Sequence, residues 1–480
     1  MRINILMLIA RHFWISIFKT KTVYLIIAII GMLLVYSVYS GMKYYEQNHF
    51  RNDHQKMARQ SWEGNPDKHP HRMAHFGTFA FRTKHPLSQF DFGIESFTGN
   101  AIFLEAHKQN TANFSEAGFS TGLLRFGELS MALILQTILP LVIFFIGYSA
   151  IVGDREYGTL KLLLTQGAKW KEILFGRSIG LTWIASLFSL PFIIVTLFLL
   201  LSDHDVSGDV WARFALITTA YLLFAFILSL ITIFISTTSG SSRNALVKLL
   251  GLWLFMTVLL PRSSQALGTW FYPSPTKLEF RSLIEAEVIQ NGDSHNPNDP
   301  HYQALRDSVL LVHQVSDVTE LPFNYGGFVM SKGEELSARI YNKHQKQLLA
   351  QYRKQNQLNR WLAIINPYLT IKSLSMALSG TDFKSYVDFQ QQAEQYRYQL
   401  SQKMNELQIK YISPDRVSGS EGKSHVVDKE EWKAFPDFEH TYLSIGTTLK
   451  NEILSSVSML LWIILSIGMI NILSKKAKAV

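Results

Sequence analysis

Two groups of residues in this 480-residue chain have chemistry beyond folding: histidines crowded into the N-terminal part, and a charged amphipathic stretch near position 160. The histidines are His49, His54, His69, His71, His75 and His85, with His69-Pro70-His71 the tightest group. Two neutral imidazoles with a third nearby suit a transition metal. Pro-rich spacing, an absence of cysteine and no clear carboxylate partner argue against one, so these side chains are expected at the surface or hydrogen-bonded in the core. His107, beside Glu105 on a short apolar helix expected near Ala101 to Lys108, reads as structural. For nucleotide chemistry the nearest match to a phosphate-cradling loop is Gly422-Lys423-Ser424, but Val417 stands where the loop's first glycine belongs, and a solvated turn is expected. Neither His-Glu-x-x-His nor Gly-x-Ser-x-Gly occurs. No catalytic, cofactor-binding or metal-binding residue is assigned, and the chain is not read as an enzyme.

The second group, Gly153 to Gly180, has helix-spaced Leu160, Leu163 and Leu164, a break at Gln166-Gly167, then Ile173 and Leu174. Lys161, Lys169, Lys171 and Arg177 occupy the polar side. Such a segment is a short helix lying at a membrane surface, because runs apolar enough to cross a bilayer flank it on both sides. Glu156-Tyr157-Gly158-Thr159-Leu160, Leu162-Leu163-Leu164, Lys171, Leu174, Gly176 and Arg177 resemble the first cytoplasmic loop of ABC-2-type transporter permeases. In that family the loop carries a coupling helix that docks on the nucleotide-binding subunit. By motif match the resemblance implies docking through Arg155, Glu156, Thr159, Leu160, Leu163 and Leu164. It also implies an ABC ATPase partner that carries ATP and Mg, with no cofactor bound directly by this chain. A second permease chain, in a homo- or heterodimer, and an export function follow from the same resemblance.

These elements sit in a composition of 48% hydrophobic and 17% charged residues, too apolar for a purely soluble design. The fold class expected is mainly α: a polytopic membrane protein with six transmembrane helices, an N-terminal interfacial helix and two large extracytoplasmic insertions, the first α+β and the second mostly α. Residues 1–21 form the interfacial elbow, broken by Arg2, Arg11 and Lys19. The spans are 22–41, 128–152, 180–201, 213–236, 244–261 and 453–474, near the roughly 20 residues that about 30 Å of hydrocarbon requires. Pro140 and Pro191 are kink sites. Between the spans lie the insertion 42–127, the docking loop 153–179, a short connector with Asp203, Asp205 and Asp209, and the insertion 262–452, ahead of a basic tail at 475–480.

Within the second insertion, Leu278 to Gln290 and Tyr302 to Val315 are helical in period. Glu334 to Ile365 and Phe383 to Tyr411 should form a long hairpin, the first ending at Asn366-Pro367 and the second capped by Thr381-Asp382. Phe-Gly-Thr, Pro-Leu, Phe-x-x-Gly-x-x-x-x-x-Gly and Glu-Ala-His between His75 and Asn110 resemble the external domain of an uncharacterised permease subfamily. Asn366-Pro367-Tyr368, the Ser-Gly-Thr-Asp at 379–382 and the Gln-Gln-Ala-Glu-Gln-Tyr-Arg at 391–397 look like the same subfamily.

The formal charge of +9 carries no basic run interleaved with aromatics, so it is read as an orientation signal and not as a nucleic-acid footprint. Arg2, Arg11, Lys19, Lys21, the 155–177 group, Arg243 and the terminal lysines fall on one side if both termini are cytoplasmic in a bacterial inner membrane. Gln136, Ser149 and Thr182 should bond to neighbouring helices, and Glu128 and Glu452 should be solvated charges at span ends. Lipid and a periplasmic partner are the other contacts anticipated. A second reading, a membrane-anchored receptor or scaffold whose external blocks bind such a partner, remains open at this level.

Overall fold

The computed structural model describes residues 1–110, 129–203, 206–296, 298–413 and 425–476. Glu128, Asp205, Val417, Gly422-Lys423-Ser424 and Lys478 lie outside these residues. The chain is mainly helical, with six helices long and apolar enough to cross a membrane and a two-stranded sheet among the described residues.

The first helix, α1 (Ile3–Phe18), packs along the start of a later apolar helix. α2 (Lys21–Glu63) is one continuous helix of 43 residues. The sequence placed a span end near Gly41, and the helix itself runs on past it to Glu63. Gly41 is there for contact: a Cβ at that position would meet the Gln89 carbonyl oxygen at 2.9 Å. After α3 (Pro70–Phe76), β1 (Thr78–Phe81) pairs antiparallel with β2 (Ala101–Leu104), Thr78 opposite Leu104 and Phe81 opposite Ala101. The helix expected near Ala101 to Lys108 is therefore a strand. Its aromatic and branched residues pack better on the pleated partner strand than on a short helix.

The central apolar helices follow. α4 (Met131–Glu156) carries a π-turn at Ile134–Ile138 and a break at 148–151. α5 (Thr159–Thr165) leads to α6 (Trp170–Leu201), which begins ten residues before the expected span, so Ile173 and Leu174 belong to the long helix. α7 (Gly208–Thr238) and α8 (Ser242–Phe271) complete the group, and α8 runs on through Pro261, past the expected end of the fifth span.

Beyond α8 come α9 (Lys277–Asn291), α10 (Pro300–His313), α11 (Tyr325–Ala363), α12 (Pro367–Leu378), α13 (Phe383–Tyr411), α14 (Ile445–Asn451) and α15 (Ile453–Lys476). Asn324, expected in a turn, caps α11 by accepting from Gly327 N at 2.8 Å. Asp382 caps α13 through Lys384 N and Ser385 N.

The main core joins α1, α4, α6, α7 and α15, and α12 enters it through Ile371, Leu374 and Leu378. The sequence assigned α12 to the external hairpin; its apolar face instead packs against α7 and α15. α4 and α7 are the most enclosed spans, with 67% and 56% of their apolar windows buried, against 17% for α2 and for α8. The outer helices therefore bare an apolar surface, including Leu25, Ile29, Met32, Val247, Leu254 and Leu461, of the kind a bilayer covers.

At one end of this bundle the polar half of α2, α3, the β-hairpin and α13 form a head with its own cores. Trp62, Met73, Leu400, Met404 and Trp432 make one, and Ala80, Ile102, Phe389 and Phe438 the other. Glu452, expected in solvent, is 3% exposed at the head–bundle junction, where it pairs with Arg360 and accepts from Ser455 Oγ at 2.8 Å. A carboxylate buried between α11 and α15 has lost its water, and the guanidinium and the hydroxyl replace it.

Candidate functional site

The segment 151–177 closes the bundle end opposite the head. Where α4 breaks, the freed amides of Ile151 and Val152 donate to Ser236 Oγ on α7 at 3.1 and 3.2 Å. The chain then reverses at Gly158, whose φ of +78° is open to glycine and strained for other residues. Thr159 Oγ1 reaches back to Asp154 Oδ1 at 3.0 Å, fixing the angle at which α5 leaves. A second left-handed glycine, Gly167 with φ +89°, ends α5 and starts α6.

Ion pairs and close helix contacts brace this corner. Arg177 on α6 meets Asp154 Oδ2 at 2.5 Å and lies over the Phe13 ring of α1. Glu172, with no side-chain exposure, accepts from Arg2 Nε at 3.0 Å, Arg2 Nη2 and Arg2 N at 2.8 Å each, and Lys169 N at 3.0 Å. Gly176 and Gly180 let α1 approach: a Cβ on Gly176 would lie 2.9 Å from Ile9 Cβ, and one on Gly180 would lie 2.8 Å from the Ala10 carbonyl oxygen. Small residues at such spacing let two helix backbones come together without a hydrophobic driving force between them.

The six residues marked from the sequence divide into braces, anchors and surface. Arg155 is half-buried and donates to the carbonyls of Thr237 and Ser239 at 2.9 and 3.1 Å, capping the C-terminus of α7. Glu156 accepts from Ser242 N at 2.8 Å and from Ser242 Oγ at 2.5 Å, capping the N-terminus of α8. Both residues therefore tie 151–165 to the 239–242 turn. Leu160 is fully buried in the main core, and Leu163 and Leu164 are half-buried against it. Thr159 is exposed. A surface role for the Leu160 side chain is thereby excluded in this conformation.

Tyr157, 86% exposed, and Leu162, 61% exposed, are apolar groups this corner offers outward, together with Lys161. The sequence signal for them was present: if Leu160, Leu163 and Leu164 face inward, Leu162 falls on the opposite side of the turn. The arrangement carries no nucleophile, base or anion cradle among these residues. What it can do is hold a small, rigid, mixed apolar and cationic surface against another protein.

A second polar feature lies inside the bundle, and of its members the sequence had marked Gln136 alone. Gln136 Nε2 in the π-turn of α4 donates to Tyr221 Oη of α7 at 2.8 Å, and Tyr221 donates to Ser375 Oγ of α12 at 3.0 Å. Ser375 in turn donates to Asp91 Oδ2 at 2.5 Å. Asp91 is buried, and burial raises its carboxyl above the usual range despite the hydrogen bonds it accepts from Ser375 and Gly93. The network joins α4, α7 and α12 to the loop between the two strands.

Of the early histidines, His69 caps α3 by accepting from His71 N at 3.2 Å, and His85 caps a 3₁₀ turn by accepting from Leu87 N at 3.1 Å. His54 sits on the Phe50 ring. His71 and His75 instead come together with His107, which lies on a turn after β2.

Residues 277–441 match a domain of unknown function (DUF3526). That stretch covers α9 through α13 and excludes the 151–177 corner. No curated protein matches the chain.

Proposed function

We propose that this chain is the membrane subunit of an ATP-driven transporter of the ABC-2 type, an exporter by analogy, in a bacterial inner membrane. The observation that carries the reading is the 151–177 corner: a two-turn helix with a buried leucine spine, tied by Arg155 and Glu156 to the next turn and by Asp154–Arg177 to α6, with Tyr157 and Leu162 bare. Such a part transmits a push, because α5 is joined to the end of α4 through Thr159 and Asp154, and residues 154–156 of that end are bonded in turn to α6, to the end of α7 and to the start of α8. The six apolar helices and the resemblance of 156–177 to a permease coupling loop support the same reading.

In this mechanism a separate ABC ATPase holds ATP and Mg and presses on Tyr157, Thr159, Lys161 and Leu162. Closure of the ATPase pair moves α5 as a lever, and the spans of two paired permease chains follow. Coupling requires the two conformations to differ in free energy of contact at that surface.

The test is co-purification with an ABC ATPase, sought first among the genes that neighbour the chain's own. Tyr157→Ala combined with Leu162→Asp, both at exposed positions, should abolish capture of the ATPase while expression and melting stay as in the wild type. Capture undiminished in a variant that folds normally removes the docking assignment.

A further inference from the structure

The head brings four imidazoles from three separate parts of the chain to one point. His71 and His75 stand four residues apart on α3, hence on one helix face. His107 follows β2 with φ +61°, a backbone region sparsely used by residues other than glycine, and its ring lies 5.6 Å from His71 and 5.5 Å from His75. His295, after α9, places its ring 4.6 Å from His107. One ring nitrogen from each of His71, His75 and His107 lies within 4.8 Å of the other two.

Two features separate this cluster from histidines gathered by chance. His71 Nδ1 and His107 Nε2 are buried with no hydrogen-bond partner among the described residues, although buried ring nitrogens are ordinarily paired. The other nitrogen of His107, Nδ1, lies 3.3 Å from Glu334 Oε2, and Glu334 also accepts from the His107 backbone N at 3.0 Å. Glu334 is itself inaccessible and is held by Arg397 Nη2 at 2.6 Å, and the same Nη2 and Nε donate to Glu394 at 2.8 Å each. A carboxylate on the remote nitrogen of a histidine fixes the ring's orientation and leaves its other lone pair directed at a ligand, as in carboxylate–histidine–metal arrangements.

We propose that His71, His75 and His107 form a site for a divalent transition-metal ion of the zinc class, with His295 as the fourth ligand at the exposed side and Glu334 as the positioning residue for His107. Neutral imidazoles are zinc ligands at about 2.0–2.1 Å, which sets tetrahedral nitrogens about 3.4 Å apart. The nitrogens of His71, His75 and His107, all within 4.8 Å of one another, have at most roughly 1.4 Å to draw in to reach that spacing. Desolvation, then the neighbouring imidazoles, hold His71 down at about 4, and partial desolvation followed by the charge of His107 lowers His75 and His295. Burial alone would raise Glu334, but the His107 hydrogen bond and the Arg397 charge outweigh it and leave its carboxyl at about 2, ionised as a positioning group must be.

An ion there would fasten α3, the turn after β2 and the 293–296 turn to one another and, through Glu334, to α11. The assignment stands independently of the transport reading, since it concerns the head alone.

The experiment uses the full chain in detergent, stripped with EDTA and titrated with Zn²⁺ against a chromophoric competitor, and in parallel with Co²⁺. One Zn²⁺ per chain is expected, with a visible Co²⁺ spectrum of the tetrahedral type and a higher melting temperature on binding. His71→Ala, His75→Ala and His107→Ala should each weaken Zn²⁺ on the order of a hundredfold or more, and Glu334→Gln on the order of tenfold to a hundredfold, while His49→Ala leaves affinity unchanged. If a substitution on α3 lowers the melting temperature of the metal-free chain, His75→Gln at its exposed position carries the same test. Wild-type affinity no greater than that of the His71→Ala, His75→Ala double variant, or a loss shared by His49→Ala, overturns the site.

Discussion

At the scale of single residues, burial decides what the titratable groups of this chain do. His85 is 3% exposed, its Nδ1 accepts from Leu87 N, and its ring stands edge-on to Tyr442. The charged and titratable groups facing it are Arg213, Asp209, Glu95 and His440. Desolvation, then the charge of Arg213, lowers it to about 3, against 6.5 when unfolded. The folded pKa is depressed, so the native state refuses a proton that the unfolded chain accepts, and stability falls as pH drops from about 6.5 toward 3. By pH 5 the loss from this one group is about 2 kcal/mol. His85→Asn keeps a capping acceptor and removes the titration. Melting temperature followed from pH 7 to pH 5 should therefore fall less steeply in that variant than in the wild type, and identical slopes would exclude His85 as the group responsible.

At the scale of elements, close approach explains positions that composition leaves unexplained. Gly176, part of the permease-like pattern, is where α1 crosses α6, and a methyl group added there would stand only 2.9 Å from Ile9 Cβ, whereas Gly468 on α15 faces open space. Gly176→Ala should lower the melting temperature, equivalent to about 1–3 kcal/mol of overpacking. Gly468→Ala should leave it unchanged or raise it, since alanine in a helix gains about 0.5–1 kcal/mol over glycine. Equal effects in the two variants would show that α1 does not depend on this crossing. Much at this scale was legible: the apolar runs announced all six long helices, Gly167 announced the end of α5, and Phe383 to Tyr411 is α13 as the sequence has it. The remainder failed for nameable reasons. The continuation of α2 beyond the apolar run that stops at Gly41 has no apolar period to announce it, and a strand that pairs with the four residues Thr78–Phe81 looked helical. Leu160 was marked for docking by motif match, and a motif leaves open which face a corner helix buries. Glu334, 227 residues beyond His107, could not be linked to the histidines, nor His107 to His71 and His75 across a strand read as a helix, although the spacing of His71 and His75 on a Pro-started helix was the visible half of the cluster.

At the scale of the whole molecule, the two ends of the bundle differ in kind, and that difference predicts an orientation that can be tested. Residues 157–169 join α4 to α6, and 239–241 join α7 to α8, at one end; Arg2 reaches the same end through Glu172. The end of α6, the start of α7 and the head lie at the other, where Tyr45 bonds Asp203 at 2.7 Å and Arg213 donates to Thr448. Basic residues near span ends mark the cytosolic side, and Arg2, Lys161, Lys169, Lys171 and Arg243 all fall in the first group. Since the chain has no cysteine, single cysteines report position without background. Tyr157→Cys and Leu311→Cys, at side chains 86% and 79% exposed on opposite ends, should differ in access. In intact spheroplasts a membrane-impermeant maleimide should label position 311 and spare position 157, and both should react once the membrane is permeabilised. Labelling of 157 from outside would place the 151–177 corner beyond the reach of any cytosolic ATPase, and the lever would have nothing to press it; labelling of 311 alone leaves the head, with its histidine cluster, facing the compartment from which a metal would have to come.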